Sequence, residues 1–86
     1  MYYIYILQCN DGKLYTGYSA DLKRRITEHK NAEVFSTKNK LPVELIFYEA
    51  FADQADAKRR EMYLKTTFGK RALKMMLKEY FKKSSY

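Results

Sequence analysis

Tyr3-Ile4-Tyr5-Ile6-Leu7-Gln8-Cys9-Asn10-Asp11-Gly12-Lys13-Leu14-Tyr15-Thr16-Gly17 is the stretch that decides the fold. Aromatic, β-branched and apolar residues from 2 to 9 favour one strand, and Leu14 to Tyr18 favour a second. Asn10-Asp11-Gly12 between them is a hairpin turn, because Gly12 tolerates a positive φ. Alternation puts Tyr3, Tyr5, Leu7 and Cys9 on one face of the first strand. Loop length then decides where Tyr15 points. A two-residue turn pairs Gln8 with Tyr15 and sends Tyr5 and Tyr15 to opposite faces. A three-residue loop pairs Cys9 with Lys13 and Leu7 with Tyr15, making Tyr5 and Tyr15 diagonal neighbours roughly 7–8 Å apart. The three-residue loop is expected, because a site shared by both tyrosines needs it.

A helix follows from about residue 20 to 31, capped by Ser19 or Asp21. At about 100° per residue, Leu22, Ile26, His29 and Arg25 lean towards the sheet and Arg24 faces water. Taken alone, Arg25 and His29 read more readily as an arginine along the core edge and a satisfied half-buried histidine than as a catalytic pair. Residues 31 to 42 form a polar loop, whose Lys38 and Lys40 suit phosphate contacts and suit solvent equally well. Val43 to Phe51 is a third strand, with Pro42 at its start. Asp53 caps a second helix running to about Thr67, which Gly69 breaks. Glu61 lies in the apolar stripe of that helix, with Ala57, Leu64 and Phe68. A carboxylate there needs a partner: Arg25, Lys65, a tyrosine hydroxyl or a metal ion. A last helix, about Lys70 to Phe81, offers Leu73, Met76, Leu77 and Tyr80 for packing. The expectation is one domain over residues 1–82 and a frayed tail over 83–86.

Composition narrows the class. A chain of 86 residues with 47% hydrophobic residues packs one core without staples. Its single cysteine, Cys9, excludes an internal disulfide and a thiolate zinc site, and sits where a buried, inert thiol is expected. The apolar run at the N-terminus ends at Gln8, too short for a signal peptide or a span, so a soluble cytoplasmic protein is expected. Seventeen Lys and Arg against ten Asp and Glu make a net charge of +7, which favours polyanionic partners, nucleic acid first.

These residues resemble the GIY-YIG nuclease superfamily. Tyr3-Ile4-Tyr5 and Tyr15-Thr16-Gly17 look like its paired motifs, Asp21 to His29 is similar to its arginine helix, and Ala57 to Lys65 is similar to its glutamate helix. The match spans roughly residues 2 to 77 and most resembles the small stand-alone bacterial branch. It implies an α+β fold: a three-stranded antiparallel sheet flanked by helices, in the order β-β-α-β-α-α, the same order read from the residues above. It also implies hydrolysis of DNA phosphodiester bonds with one divalent ion, Mg²⁺ or Mn²⁺. Carried over by position, Tyr5 and Tyr15 are the motif tyrosines, Arg25 the catalytic arginine, Glu61 the metal ligand, and His29 a histidine found in some branches. Tyr3 and Thr16 depart from the usual glycine and isoleucine, and Leu73 stands near a position that is polar in some members. Lys70 or Lys74 is the candidate replacement at that phosphate site.

The residue types suit the chemistry. Hydrolysis needs an in-line water, neutralised phosphoryl oxygens and help for the leaving oxygen. Arg25 can fork onto the phosphate, and Glu61 offers a hard oxygen to the metal. Tyr5 or Tyr15 would take or orient the water proton, with His29 the rival base. DNA is the expected partner: single strands, flaps or damaged sites. The competing readings are a non-catalytic nucleic-acid-binding module on the same scaffold, and a protein-interaction adaptor indifferent to Tyr5, Arg25 and Glu61.

Overall fold

The computed structural model describes residues 1–84. Strands β1 (Tyr2–Gln8) and β2 (Leu14–Ser19) form the hairpin, helix α1 (Leu22–Lys30) follows, and β3 (Glu44–Phe51) completes an antiparallel sheet of order β2-β1-β3. Helices α2 (Gln54–Leu64), α3 (Thr67–Met76) and α4 (Lys78–Ser84) come last. The architecture is the expected α+β one.

Because β1 is central and covered on both faces, Ile4, Tyr5, Ile6 and Leu7 are all buried, an unbroken apolar run rather than an alternating one. Ile4 and Ile6 pack on Ala57, Leu64 and Leu73 of α2 and α3. On the opposite face, Tyr5, Leu7 and Cys9 pack with Ile26 of α1 and with Val43. Burying each large aliphatic side chain contributes about 1.5–3 kcal/mol.

The hairpin has the three-residue loop. Cys9 N–H donates to Lys13 O at 2.9 Å, Gly12 sits at φ 82°, and Leu7 pairs with Tyr15 while Tyr5 pairs with Gly17. Asp21, rather than Ser19, caps α1 by accepting from Arg24 N–H at 3.2 Å, while Ser19 closes the preceding turn. Asp53 caps α2 as expected.

The C-terminal half differs from the sequence expectation in where its helices stop. Helix α2 ends at Leu64, because the Thr66 hydroxyl accepts from Gly69 N–H at 3.1 Å and starts a new helix. Gly69 therefore lies inside α3 and breaks nothing. A Cβ there would strike the backbone of Tyr63 and Leu64, so the glycine lets the two helices meet. Phe68, expected on the inner face of one long helix, is exposed on α3. The final helical region is divided at Leu77. Leu73 and Leu77 pack inward, Met76 does not, and the Tyr80 hydroxyl donates to Gln8 Oε1. Helix α4 runs through Ser84, so residues 83 and 84 of the expected tail are helical; residues 85 and 86 lie outside the described residues. No helix among the described residues is long and apolar enough to cross a membrane.

Candidate active site

Pairing Tyr5 with Gly17 sets up the centre. A Cβ on Gly17 would collide with the ring end and hydroxyl of Tyr5, so the phenol lies across the β2 backbone where only glycine leaves room. The rings of Tyr5 and Tyr15 are 6.3 Å apart, and each packs edge-on to His29, at 5.5 and 5.1 Å between centroids.

His29 is fully buried and engaged at both nitrogens: Nε2 lies 2.7 Å from the Tyr5 hydroxyl and Nδ1 lies 2.7 Å from Thr37 Oγ1. A neutral imidazole carries one donor and one acceptor, so two tautomers satisfy this chain, and in one of them Tyr5 donates to Nε2 while Nδ1–H donates to Thr37. Burial pushes the His29 pKa down, reinforced by Arg25 and opposed by Glu28. Burial pushes the Tyr5 phenol up to about 12, although the Arg25 guanidinium draws it down; Tyr15 and Glu61 act with burial.

Thr37 reaches the histidine because α1 ends in a Schellman turn. Glu33 N–H bonds Glu28 O, Ala32 N–H bonds His29 O, and Ala32 takes φ 61°, reversing the chain so that Val34 and Thr37 fold back under the sheet.

The two arginines of α1 divide as the helical spacing requires: the Arg24 side chain is 74% exposed and that of Arg25 37%. Arg25 Nη1 donates to Glu28 Oε1 at 3.0 Å, three residues along the same helix, and this bond leads the causes that raise its pKa. Its guanidinium also interacts with both tyrosines, which holds a fixed positive charge beside them. Glu61 comes from α2, on the far side of the sheet, with its side chain 18% exposed and Lys65 Nζ at 3.1 Å from Oε2. Of the partners open to it, Lys65 is the one it takes, and its charge still reaches Tyr5.

The lysines are placed less uniformly. Lys38 sits 4.9 Å above the Phe35 ring, and Lys40 is exposed nearby on the loop that carries Thr37. Lys70 and Lys74 flank the buried Leu73 and, with Lys13, line a cavity of about 390 Å³ beside Thr16 of β2. Leu73 is thus a core residue, not a ligand.

Two members of the cluster escape sequence reasoning. Glu28 is detectable from its three-residue spacing to Arg25 on the helix. Thr37 has no such signal, since its position depends on the loop path after Ala32. Cys9 is buried, with its thiol pKa raised first by burial, as an inert core thiol requires.

Comparison with known proteins agrees with this architecture. A UPF0213 protein of Staphylococcus saprophyticus is 41% identical over 76 residues, covering 87% of this chain and 93% of the relative. One from Streptococcus agalactiae is 44% identical over 64 residues, covering 73% of each. The solution NMR structure of a UPF0213 protein from Bacillus halodurans superposes with a TM-score of 0.57 at 35% identity, covering 88% of this chain and 85% of that one. The family model of the GIY-YIG catalytic domain matches residues 1–76, which include both tyrosine strands, the arginine helix and Glu61. With its small single-domain UPF0213 relatives, this chain belongs to the GIY-YIG family.

Proposed function

We propose that the protein is a divalent-metal-dependent nuclease that hydrolyses DNA phosphodiester bonds at the Tyr5, Tyr15, Arg25, His29 and Glu61 cluster. The observation that carries this reading is the buried Tyr5–His29–Thr37 chain, set beside a permanently charged guanidinium. A packing role for Tyr5 needs neither the hydroxyl nor the histidine.

Glu61 fits the metal. Among the described residues no three His, Cys, Asp or Glu side chains gather into a cage, so the ion would take one carboxylate, with water and substrate phosphate completing its shell. Magnesium is suited to that arrangement. Lys65 would yield Oε2 or share it. Bound there, the ion would neutralise charge on the phosphoryl oxygens.

The chain's own groups do the rest. Arg25 forks onto the scissile phosphate and holds it against the tyrosines. His29 is enclosed, with both nitrogens occupied, so its link to the attacking water runs through Tyr5, itself buried, whose hydroxyl the water must reach beside Arg25. As water attacks phosphorus, its proton passes to the Tyr5 oxygen while the Tyr5 proton moves to Nε2 of His29. Thr37 Oγ1 accepts from Nδ1–H and steadies the imidazolium that forms. The leaving oxygen takes a proton from solvent. A phenol held near pKa 12 is a poor base alone, and the relay removes the need for a free phenolate. Lys70, Lys74 and Lys13 would hold phosphates beyond the cut, with Lys38 and Lys40 as outer contacts. A cytoplasmic location suits such an enzyme.

The test is cleavage of labelled single-stranded, duplex and branched DNA with Mg²⁺ or Mn²⁺, comparing wild type with Glu61→Ala and following binding in parallel. Metal-dependent cutting that disappears in Glu61→Ala while binding persists is the expected result. Binding without cutting on every substrate, unchanged by the substitution, would convert the reading to a non-catalytic nucleic-acid-binding module.

A further inference from the structure

A cavity of about 650 Å³ lies away from the tyrosine centre, on the other flank of α1, between that helix and edge strand β3. Such a volume is within the ~300–1,000 Å³ range of ligand sites. Arg25 and His29 project from one side of α1, while Lys23 and Lys30 project from the other into this groove, whose floor is Ile26 and Leu45. Tyr3 and Tyr48 form its wall.

A β-bulge builds that wall. Ile6 pairs with Phe47 but Leu7 pairs with Leu45, so Ile46 is the extra residue. Leu45 and Tyr48 are three apart and would otherwise lie on opposite faces of β3; the bulge puts both beside the groove. Tyr48 is left 53% exposed, packed edge-to-face on Tyr3 with ring centroids 6.2 Å apart. That exposed part of the ring is surface on which another π-system can pack. Lys23 and Lys30 make no ion pair among the described residues, and the one carboxylate lining the groove, Asp21, is tied to the start of the helix through Arg24 N–H. Aromatic faces beside unpaired cations are the chemistry that holds an unpaired nucleotide: the base stacks and the lysines take the flanking phosphates. A duplex keeps its bases stacked inside and offers the tyrosine nothing.

We infer that this groove binds a single-stranded segment of nucleic acid, with a base on Tyr48 and phosphates on Lys23 and Lys30, so that substrates with an unpaired stretch are preferred. The inference rests on the nucleic-acid reading above and supplies its substrate class. An α-helix is about 10–12 Å across, so a strand held in the groove is within a few nucleotides of Arg25 on the opposite flank. Arg24 stands exposed on the outer surface between the two.

The experiment is fluorescence anisotropy of labelled single-stranded and duplex oligonucleotides, in chelator so that nothing is cut, with wild type, Tyr48→Ala, Tyr48→Phe and Lys23→Gln/Lys30→Gln. Tyr48→Ala weakens single-strand binding about fivefold or more and leaves duplex binding within about twofold, while Tyr48→Phe retains both. The double lysine variant lowers the single-strand salt slope by about 1.4, for two phosphates at about 0.7 each. Ultraviolet crosslinking of wild type to a bromouracil-containing strand places the adduct at Tyr48 or Tyr3, a readout that requires no substitution. Equal loss on single strand and duplex, crosslinks confined to other segments, or single-strand binding indifferent to Tyr48→Ala would overturn the inference. So would a dimer in sedimentation that Tyr48→Ala dissociates without affecting DNA, which would make the groove a contact between copies. Cleavage by a wild type whose binding ignores Tyr48 would sink the groove alone; Tyr48-dependent binding with no cleavage would sink the nuclease reading alone.

Discussion

The phenol of Tyr5 occupies the space that a side chain on Gly17 would fill. The contact of that hydroxyl with His29, at 2.7 Å, depends on this clearance. Gly17→Ala must push the ring aside. We expect a loss of about 1–3 kcal/mol in chemical denaturation, typical of overpacking. Cleavage should fall by about 10²-fold or more, since the hydroxyl is misplaced by an ångström or so. A variant with wild-type activity would show that the ring position does not matter.

Tyr5→Phe keeps the ring over Gly17 and removes only the hydroxyl. Cleavage is expected to fall about 10²–10⁴-fold while DNA affinity stays within a factor of about two. The His29 nitrogen left without its partner costs about 1–3 kcal/mol of stability, readable by urea titration.

Thr37 acts through His29 and should not touch substrate. Thr37→Val removes the hydroxyl hydrogen-bonded to His29 Nδ1, and Thr37→Ser restores it. The valine variant should lose kcat with little change in KM, and the serine variant should recover most of it. Equal kcat in all three proteins would exclude a positioning role.

Stability should depend on pH through His29. Its pKa is lowered by burial, so the unfolded chain binds the proton more readily than the folded one. The contribution is fully present above the unfolded value of about 6.5 and is lost as pH falls through the folded value. Denaturation midpoints should therefore decline below about pH 6.5, and His29→Phe should flatten that decline in this range. Cleavage should fail on the same acid limb, because a protonated imidazole cannot accept from Tyr5.

Ala32 holds φ 61° at a position where glycine is the usual occupant. A left-handed conformation costs an L-residue roughly 1–2 kcal/mol, against about 0.5–1 kcal/mol for the extra freedom of glycine in the unfolded chain. Ala32→Gly should therefore stabilise the protein by about 0.5–1 kcal/mol, or raise Tm by a few degrees in calorimetry, with cleavage unchanged. A lower Tm would contradict this account of the turn.

Local chemistry, by itself, determined the hairpin, the order of strands and helices, and the inward lean of Arg25 and His29. Each follows from a period or a turn residue within a few positions: Gly12 for the turn, and helical spacing for Arg25 against Arg24. The length of the hairpin loop followed only from requiring Tyr5 and Tyr15 to share a face. The breaks at Thr66 and Leu77 were hidden because periodicity alone read one helix through to Thr67 and another from Lys70, while the observed ends depend on a side-chain cap and on how α3 crosses α2 at Gly69. Tertiary structure alone decided the partners at the centre. Lys65 rather than Arg25 took Glu61, Thr37 took His29, and Gly17 made room for Tyr5. The bonds to His29 join positions 24 and 8 residues apart, and Glu61 approaches from the opposite side of the sheet. Such pairings exist only once hydrophobic burial has packed the helices on both faces of β1 and the Schellman turn has sent the loop back, and no local period encodes that.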